Sequence, residues 1–329
     1  MVNWKKTKVF VTGSNGFLGS HLVKKLIGLG ANPLLLIYKD HPGSIFNQEK
    51  LDKKTQIIKG DVRDLVLIKH ILNKNKIDII FHLAAQPIVD QALDDPIETF
   101  QTNIHGTVNI LQATLVNRGV KKIIVASSDK AYGHNDKLPY REDTSPLRGI
   151  YPYEVSKTCA DLIAQSYHKT FGLPVCITRA SNLYGPGDLH FNRIVPMTIK
   201  QLHAGLPPTI RDRSDSVRDY LYIEDAADAY IKLAEKMNKS IFGHAFNFST
   251  NKQLSAEKVI CTISKAMNKT EIEPITIKTR GCEIYKQYAS FDKALRIMGW
   301  KPKHSFKEGA AKTIPWYVDH LNNKKNQNI

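Results

Sequence analysis

The sequence is poor in cysteine and lacks any long apolar run. Its 329 residues include four cysteines, Cys159, Cys176, Cys261 and Cys282. These show neither the paired spacing of a metal site nor the density of a disulfide scaffold, so we expect no metal and a reducing compartment. No apolar run approaches the roughly 18 residues that span a bilayer, and the polar, basic first residues are unlike a signal peptide. We therefore expect a soluble, cytoplasmic protein without a membrane partner.

A concentrated basic block is also missing, although the formal net charge is +16. The lysines are scattered in short groups such as Lys5-Lys6, Lys53-Lys54 and Lys324-Lys325, without interleaved aromatic residues. This distribution predicts a lysine-rich solvated surface rather than a nucleic-acid-binding face. The proportions of hydrophobic residues (42%) and charged residues (24%) are ordinary for a globular protein with a large core. Its length suits one large domain or two medium ones.

A glycine-rich turn follows the first apolar segment. Glycines stand at positions 13, 16 and 19 of Gly13-Ser14-Asn15-Gly16-Phe17-Leu18-Gly19, between a predicted strand at Lys8–Thr12 and a predicted helix at Ser20–Leu29. Such glycines permit a tight turn and close approach of the backbone to a pyrophosphate, while the helix N-terminus offers free amides and a favourable dipole. The position between strand and helix is where this mechanism requires it. We predict a nucleotide-cofactor site here.

The residues after the next two strands bear on which cofactor binds. The second predicted strand ends at Tyr38-Lys39-Asp40. Asp40 could hold the adenosine ribose of NAD, whereas Lys39 could favour the additional phosphate of NADP, and the sequence leaves both open. Asp61, after the third strand, could cap the next helix or hydrogen-bond the adenine amino group.

Strands and helices alternate through the first half of the chain, which predicts an α/β fold with a doubly wound, Rossmann-type parallel sheet. Ligands of such sheets bind at the carboxyl ends of the strands, where the small Ala84-Ala85 leaves room for a cofactor. We predict a cofactor domain at residues 1–181, with a returning segment near 224–249. Residues 182–329 should form mainly a smaller α/β substrate domain.

A tyrosine and a lysine lie four residues apart in the predicted helix that begins near Pro152. This spacing puts Tyr153 and Lys157 on one helix face. A lysine beside a phenol favours its ionised form, so a group with a pKa of about 10 could act as a base nearer neutrality. Ser127 follows the apolar strand Ile123–Ala126. Together these groups suit removal of a proton from an alcohol while hydride leaves its carbon.

Over nearly its whole length the chain resembles the extended short-chain dehydrogenase/reductases that modify nucleotide sugars. The resemblance rests on the glycine turn and on Asp61-Val62, Leu83-Ala84-Ala85, Asn103, Ser127, Tyr153 with Lys157, Arg218-Asp219-Tyr220 and Gly299-Trp300-Lys301-Pro302. It implies an NAD cofactor, with NADP as an alternative, held by the glycine turn with Asn15, Phe17 and Leu18, and by Asp40, Asp61, Val62, Leu83, Ala84, Ala85, Asn103, Tyr153 and Lys157. It also implies a homodimer built on a four-helix interface and a role in polysaccharide biosynthesis.

The residues after Ser127 resemble one subgroup. Ser128-Asp129-Lys130 and the segment Ala84–Val89 are similar to the CDP-glucose 4,6-dehydratases. Departures occur at Gly185-Pro186-Gly187-Asp188 and at Arg218-Asp219-Tyr220, which puts the nucleotide base and the hexose in doubt. The expected reaction is 4,6-dehydration of a nucleotide sugar. The alternatives are a 4-epimerase or reductase of the same family, or a protein that binds the cofactor without catalysis.

The resemblance implies a role for each candidate residue. Tyr153 would take the carbon 4 hydroxyl proton, with Ser127 hydrogen-bonded to the same oxygen. Lys157 would lower the pKa of Tyr153 and hold the nicotinamide ribose. Asp129 would protonate the departing carbon 6 hydroxyl, and Lys130 would remove the carbon 5 proton. The expected substrate-binding residues are Gln86, Asn182, Arg193 and Arg218.

Overall fold

A computed structural model of the chain describes residues 2–278 and 284–327. The strands are β1 (Val9–Thr12), β2 (Leu34–Ile37), β3 (Gln56–Lys59), β4 (Ile79–His82), β5 (Lys122–Ser128), β6 (Val175–Ala180), β7 (Asn182–Tyr184), β8 (Thr209–Arg211), β9 (Val217–Arg218), β10 (Tyr220–Tyr222), β11 (Ala245–Phe248), β12 (Leu254–Ser255), β13 (Ile275–Ile277) and β14 (Lys286–Gln287). The α-helices are α1 (Phe17–Gly28), α2 (Ile45–Gln48), α3 (Leu65–Asn75), α4 (Val89–Asp94), α5 (Pro96–Phe100), α6 (Gly106–Asn117), α7 (Pro152–Phe171), α8 (Ile194–His203), α9 (Ile223–Lys236), α10 (Ala256–Ala266), α11 (Asp292–Met298) and α12 (Phe306–Gln327).

Seven of these strands form one parallel sheet, in the order β3-β2-β1-β4-β5-β6-β11. The chain builds the sheet outward from β1 in one direction and then from β4 in the other. Doubly wound sheets bind their ligands in the crevice where this strand order reverses, here between β1 and β4. The predicted fold is therefore confirmed. The late strand at Ala245–Phe248 returns to this sheet beside β6, as the sequence indicated.

The central strands are apolar on both faces because helices cover both. Side chains of β1 and β4 are buried throughout. Helices α1, α9 and α11 pack on one face, around a cluster that includes Val11, Leu22 and Phe246. Helices α3, α6 and α7 cover the other face, around a cluster that includes Phe10, Ile80 and Ile123. Burial of each large apolar side chain contributes about 1.5–3 kcal/mol to folding.

Later elements form a second layer beside the carboxyl edge of the sheet. Helices α8, α10 and α12 pack around an aromatic cluster with Tyr184, Tyr222 and Tyr317. Short strand pairs complete this region, including β10 with β7 and β9 with β12 and β14. This layer places polar side chains opposite the strand ends and so closes one side of the crevice.

Polar side chains cap the N-termini of several helices. Asp95 accepts a hydrogen bond from the Glu98 amide, and Ser255 accepts one from the Lys258 amide, as caps preceding α5 and α10. The capping role considered for Asp61 is wrong, because Asp64 accepts from the Leu67 amide and caps α3. In the described residues, no helix is both long enough and apolar enough to cross a membrane.

Candidate active site

The glycine turn between β1 and α1 leaves no room for side chains. Gly13 has a φ of +67°, a left-handed conformation that favours glycine, and a Cβ there would lie 2.7 Å from the Ala84 amide nitrogen. A Cβ on Gly19 would collide with the carbonyl oxygen of Gly13. The turn therefore brings bare backbone and the N-terminus of α1 to the edge of the crevice, as a pyrophosphate site requires.

The carboxyl ends of the parallel strands open into a cleft of about 1090 Å³. Most of the sequence-predicted site residues line it: Gly13, Asn15, Gly16, Phe17, Leu18, Gly19, Asp61, Val62, Leu83, Ala84, Ala85, Gln86, Ser127, Asp129, Lys130, Tyr153, Lys157, Asn182, Arg193 and Arg218. They come from the ends of five strands (β1, β3, β4, β5 and β6), from the start of α7 and from the second layer. Asp40 and Asn103 do not line the cleft.

The end of the cleft beside β2 differs from the prediction. Asp40 is exposed and ion-paired with Lys59, outside the cleft. Tyr38, Lys39 and Arg63 line this end of the cleft, and the expected role of Asp40 as a cofactor ligand stays a prediction. The acidic group present here is Asp61.

Asp61 is held by its neighbour Arg63. The Arg63 guanidinium donates to Asp61 through Nε at 2.8 Å and Nη2 at 2.5 Å, and Nη2 also donates to the Tyr38 hydroxyl at 3.0 Å. Partial burial raises the pKa of Asp61, but the hydrogen bonds from Arg63 outweigh it and the pKa lies below its usual value. Asp61 is therefore an ionised acceptor at the rim of the cleft.

Asn103 supports the cleft from behind. Its side chain is buried, accepts from the Gln86 amide at 2.8 Å, and donates to the Gln86 carbonyl and to Ser156. It ties the loop after β4 to α7, and its expected role at the cofactor stays a prediction. Gln86 lines the cleft, but its side-chain amide bonds Ile88 and Thr99.

Tyr153 and Lys157 lie together on the first turns of α7, both buried and both in the lining of the cleft. The Lys157 ammonium donates to the Ala126 carbonyl at 2.9 Å, and burial lowers its pKa to about 8. Burial raises the pKa of Tyr153 to about 12, while Arg193 and a hydrogen bond with Ser128 oppose that rise. Without a ligand the phenol is therefore protonated near neutral pH.

The two serines at the end of β5 have different hydrogen-bond partners. Ser127 donates to the Lys157 carbonyl at 3.3 Å. Ser128 is the serine whose side chain hydrogen-bonds Tyr153, and its hydroxyl also donates to Asp129 at 3.2 Å. The residue beside the phenol is thus Ser128, which sequence reasoning missed. The available signal was the strand alternation, which puts adjacent residues on opposite faces.

Asp129 and Lys130 begin a short 3-10 helix, Asp129–Tyr132, directly after the serines. Asp129 is buried, and its Oδ2 has no hydrogen-bond partner among the described residues. Burial raises its pKa to about 6, although the charge of Lys130 lowers it. This carboxyl can carry a proton near neutrality and can present it to the cleft. Lys130 extends to Gln287, a residue that sequence reasoning did not single out.

Polar residues of the second layer face these groups across the cleft. Arg193 donates to Asp188 at 3.1 Å, Asn182 donates to the Asp219 carbonyl at 3.3 Å, and Arg218 donates to the Val217 and Tyr285 carbonyls. These three residues and Gln86, the four predicted substrate-binding residues, all line the cleft. The arrangement offers two guanidinium groups to an anionic ligand.

Comparison with known proteins identifies the family. Residues 10–313 match the family model described as GDP-mannose 4,6 dehydratase. The chain belongs to this family. Its members and relatives include dehydratases and epimerases of nucleotide sugars.

Curated relatives are similar over almost the whole chain. The dTDP-D-glucose 4,6-dehydratase of Homo sapiens is 30% identical, with 97% of this chain and 92% of the relative covered. A trifunctional UDP-glucose 4,6-dehydratase/UDP-4-keto-6-deoxy-D-glucose 3,5-epimerase/UDP-4-keto-L-rhamnose-reductase of Arabidopsis thaliana is 29% identical over 97% of this chain. The chain spans about half, 48%, of that relative's length.

Solved structures confirm the fold. The dTDP-glucose 4,6-dehydratase of Streptomyces venezuelae, crystallised with NAD bound, superimposes with a TM-score of 0.88 at 26% identity, covering 96% of this chain and 98% of that one. The UDP-glucose 4-epimerase of Thermotoga maritima, crystallised with UDP-glucose, gives a TM-score of 0.87 at 26% identity, covering 96% and 100%. The fold is therefore shared by dehydratases and epimerases, and the site residues must separate the two activities.

Proposed function

We propose that this protein is an NAD-dependent nucleotide-sugar 4,6-dehydratase, which converts a nucleoside-diphosphate hexose to the 4-keto-6-deoxy product and water. The observation that carries the proposal is Asp129. It is a buried carboxyl in the cleft with a raised pKa and an unpartnered Oδ2 among the described residues, next to Lys130 and near Tyr153. A proton donor and an amine beside the oxidation site suit elimination of water. An epimerase needs neither.

The residues present fit NAD. The glycine turn is a cradle that a Cβ would fill, and α1 begins at it. Lys157 is placed to bind the nicotinamide ribose, and Asp61 to bind the adenine or its ribose. When bound, NAD supplies the hydride acceptor for carbon 4 and the hydride donor for carbon 6, and its charged ring favours the phenolate of Tyr153.

The first step removes the hydroxyl proton from carbon 4. Tyr153 takes this proton, Ser128 hydrogen-bonds the oxygen, and a hydride leaves carbon 4, so that the alcohol becomes a ketone. The neighbouring positive charge of Arg193 supports the phenolate. The ketone makes the carbon 5 proton acidic, which is the chemical reason for the temporary oxidation.

The second step eliminates water. Lys130 in its neutral form takes the proton from carbon 5, the carbon 5–carbon 6 double bond forms, and the carbon 6–oxygen bond breaks while Asp129 protonates the leaving oxygen. Hydride then adds to carbon 6, and the Lys130 ammonium returns a proton to carbon 5. Because the ketone remains at carbon 4, Tyr153 ends with the proton of the carbon 4 hydroxyl, whereas Asp129 has lost one. Loss of the Tyr153 proton to solvent and uptake of a proton by Asp129 restore the starting state, so the reaction consumes no proton overall.

For the substrate we propose CDP-glucose, on the similarity of Ser128-Asp129-Lys130 and of Ala84–Val89 to that subgroup. Arg193 and Arg218 are proposed to bind the diphosphate and Asn182 to lie beside it, in a substrate domain at residues 182–329. Gln86 is proposed to shape the hexose site from the loop after β4.

The decisive experiment is incubation with CDP-, dTDP-, UDP- and GDP-hexoses, followed by mass spectrometry. We expect one substrate, CDP-glucose, to lose the mass of one water and to give a 4-keto product. A product of unchanged mass would instead identify a 4-epimerase, with Asp129 and Lys130 as bystanders. Loss of water from another nucleotide sugar would support the proposed reaction and show that the nucleotide of the substrate is not CDP.

We also propose that the protein is a homodimer through α7 and the helices from Pro96 to Asn117. Large apolar side chains on these helices are exposed, among them Ile97 at 67% and Leu162 at 51%. In a two-fold dimer the same patch of each subunit would cover the other. The four-helix interface implied by the family resemblance uses the same helices.

Sedimentation at micromolar concentration should therefore give about twice the chain mass of 37.1 kDa. Leu162→Glu should shift the protein toward monomer, because it puts a charge into the apolar patch. Val66→Glu is the matched control, since Val66 on α3 is 78% exposed outside this patch. A monomeric wild-type chain, or equal effects of the two substitutions, would contradict the proposed interface.

A further inference from the structure

Lys130 makes a long-range contact behind the cleft. Its ammonium donates to Oε1 of Gln287 at 3.2 Å, across 157 residues of sequence. Gln287 is fully buried and does not line the cleft, whereas Lys130 does. Because Lys130 has only donors, the amide must present its oxygen to it. The side chain of Gln287 therefore reaches the cleft through its contact with Lys130.

The backbone around Gln287 is ordered by strand pairing and hydrogen bonds. Gln287 lies on β14, which pairs in parallel with β9 so that Gln287 is level with Arg218. The following residues are also bonded: the Tyr140 amide donates to the Tyr288 carbonyl, and Ser249 donates to the Ala289 carbonyl at 2.7 Å. A site is most precise when its supporting groups stand on such ordered strands.

Gln287 contributes less to stability than its burial suggests. Its Nε2 is buried without a hydrogen-bond partner among the described residues. An unsatisfied buried donor is costly, and an apolar residue of the same size would avoid that cost. A group retained in spite of such a cost is a candidate for a functional role.

We propose that Gln287 is a positioning residue of the dehydratase: its amide oxygen holds the Lys130 amine beside Asp129, where the amine reaches carbon 5 of the hexose. This rests on the function proposed above. A neutral amide suits the task, because it orients the ammonium without the strong stabilisation that a carboxylate would give, and the amine can lose its proton. Among the described residues, the charged or titratable groups near Lys130 are Asp129 and the groups that interact with Asp129, namely Arg218, Asp219, Tyr140 and Tyr153.

The test uses two substitutions in the full chain. Gln287→Leu should lower kcat about tenfold, the effect of losing one hydrogen bond to a charged group, with KM nearly unchanged and no decrease in Tm. Gln287→Glu should restore the acceptor but move the limb of the kcat profile that follows ionisation of Lys130 about one pH unit higher, because a carboxylate favours the ammonium. A structural role would lower Tm and leave the profile in place.

A double-mutant cycle supplies the control. In a Lys130→Met background, Gln287→Leu should cause no further loss, since both residues act through one amine. Equal losses in the two backgrounds, or a wild-type rate for Gln287→Leu, would overturn the proposal. If Gln287→Leu folds poorly, the pH profile of Gln287→Glu decides.

A readout without turnover separates this proposal from the proposed function. The pH-dependent acetylation of Lys130, followed by mass spectrometry, should be about tenfold slower in Gln287→Glu at a fixed neutral pH, because the amine is more protonated. The exposed Lys74 on α3 is the matched control and should not change. If the wild type dehydrates no nucleotide sugar but Lys130 responds in this way, the function fails and the positioning holds. An unchanged Lys130 rate would overturn the positioning alone.

Discussion

Asp129→Asn should give an enzyme that reduces its bound cofactor when the sugar binds but releases water at least about a hundredfold more slowly, as expected on loss of a general acid. Asparagine keeps the size of the side chain and cannot transfer the proton to the departing oxygen. The reduced nicotinamide should accumulate and be visible by its near-ultraviolet absorbance in a single-turnover experiment. The loss of water from the nucleotide sugar is measured separately by mass spectrometry.

The pKa of Asp129 gives the same prediction a pH dependence. Burial raises this pKa to about 6, against the lowering effect of Lys130. The carboxyl is protonated below that pH and ionised above it. In the wild type the rate of water loss should therefore stop rising with pH at about 6, because loss of the Asp129 proton offsets the gain from neutral Lys130. The variant should not show this break. If Asp129→Asn instead fails at cofactor reduction while it binds the sugar normally, Asp129 belongs to oxidation or positioning, and its assignment to elimination is wrong.

Tyr153→Phe should lower turnover at least about a hundredfold, the usual effect of removing a general base, while NAD affinity measured by calorimetry stays nearly unchanged. Phenylalanine fills the same buried space on α7 and lacks only the hydroxyl. In contrast to Asp129→Asn, this variant should not reduce its cofactor, because the alcohol cannot lose its proton. Full activity of the variant would show that another group is the base.

The serine pair provides a matched control for this step. Ser128→Ala should lower the rate of cofactor reduction, since Ser128 is the hydroxyl that hydrogen-bonds Tyr153. Ser127→Ala removes only a 3.3 Å hydrogen bond to the Lys157 carbonyl and should have a much smaller effect. The opposite ranking would return the catalytic role to Ser127.

Short-range sequence patterns were sufficient to predict several features of this protein. The glycine turn at residues 13–19 and the alternation of strands and helices depend on neighbours in sequence, and the structure confirms both. The spacing of Tyr153 and Lys157 is likewise fixed by the helix period, so the two side chains share a face in any helix.

Assignments that depended on the exact direction of a loop or strand end were less secure. Asp40 was expected in the cleft but pairs with Lys59 outside it, because the chain turns after Tyr38. Asn103 was expected at the cofactor, yet it bonds Gln86 and Ser156 from behind. In both cases the residue type suited the role, and only the path of the backbone determined where the polar atoms lie.

The sequence by itself determined the doubly wound sheet, the phosphate-binding turn and the chemical types gathered after β5, since these follow from short-range periodicity and backbone freedom. Tertiary structure decided which serine contacts Tyr153, because adjacent residues of a strand face opposite ways and only the packed sheet defines its sides. It also decided that Gln287 contacts Lys130 across 157 residues of sequence, because the pairing of β14 with β9 brings Gln287 to this place. Burial, which raises the pKa of Asp129 and so makes it a proton donor, is likewise a property of the folded chain.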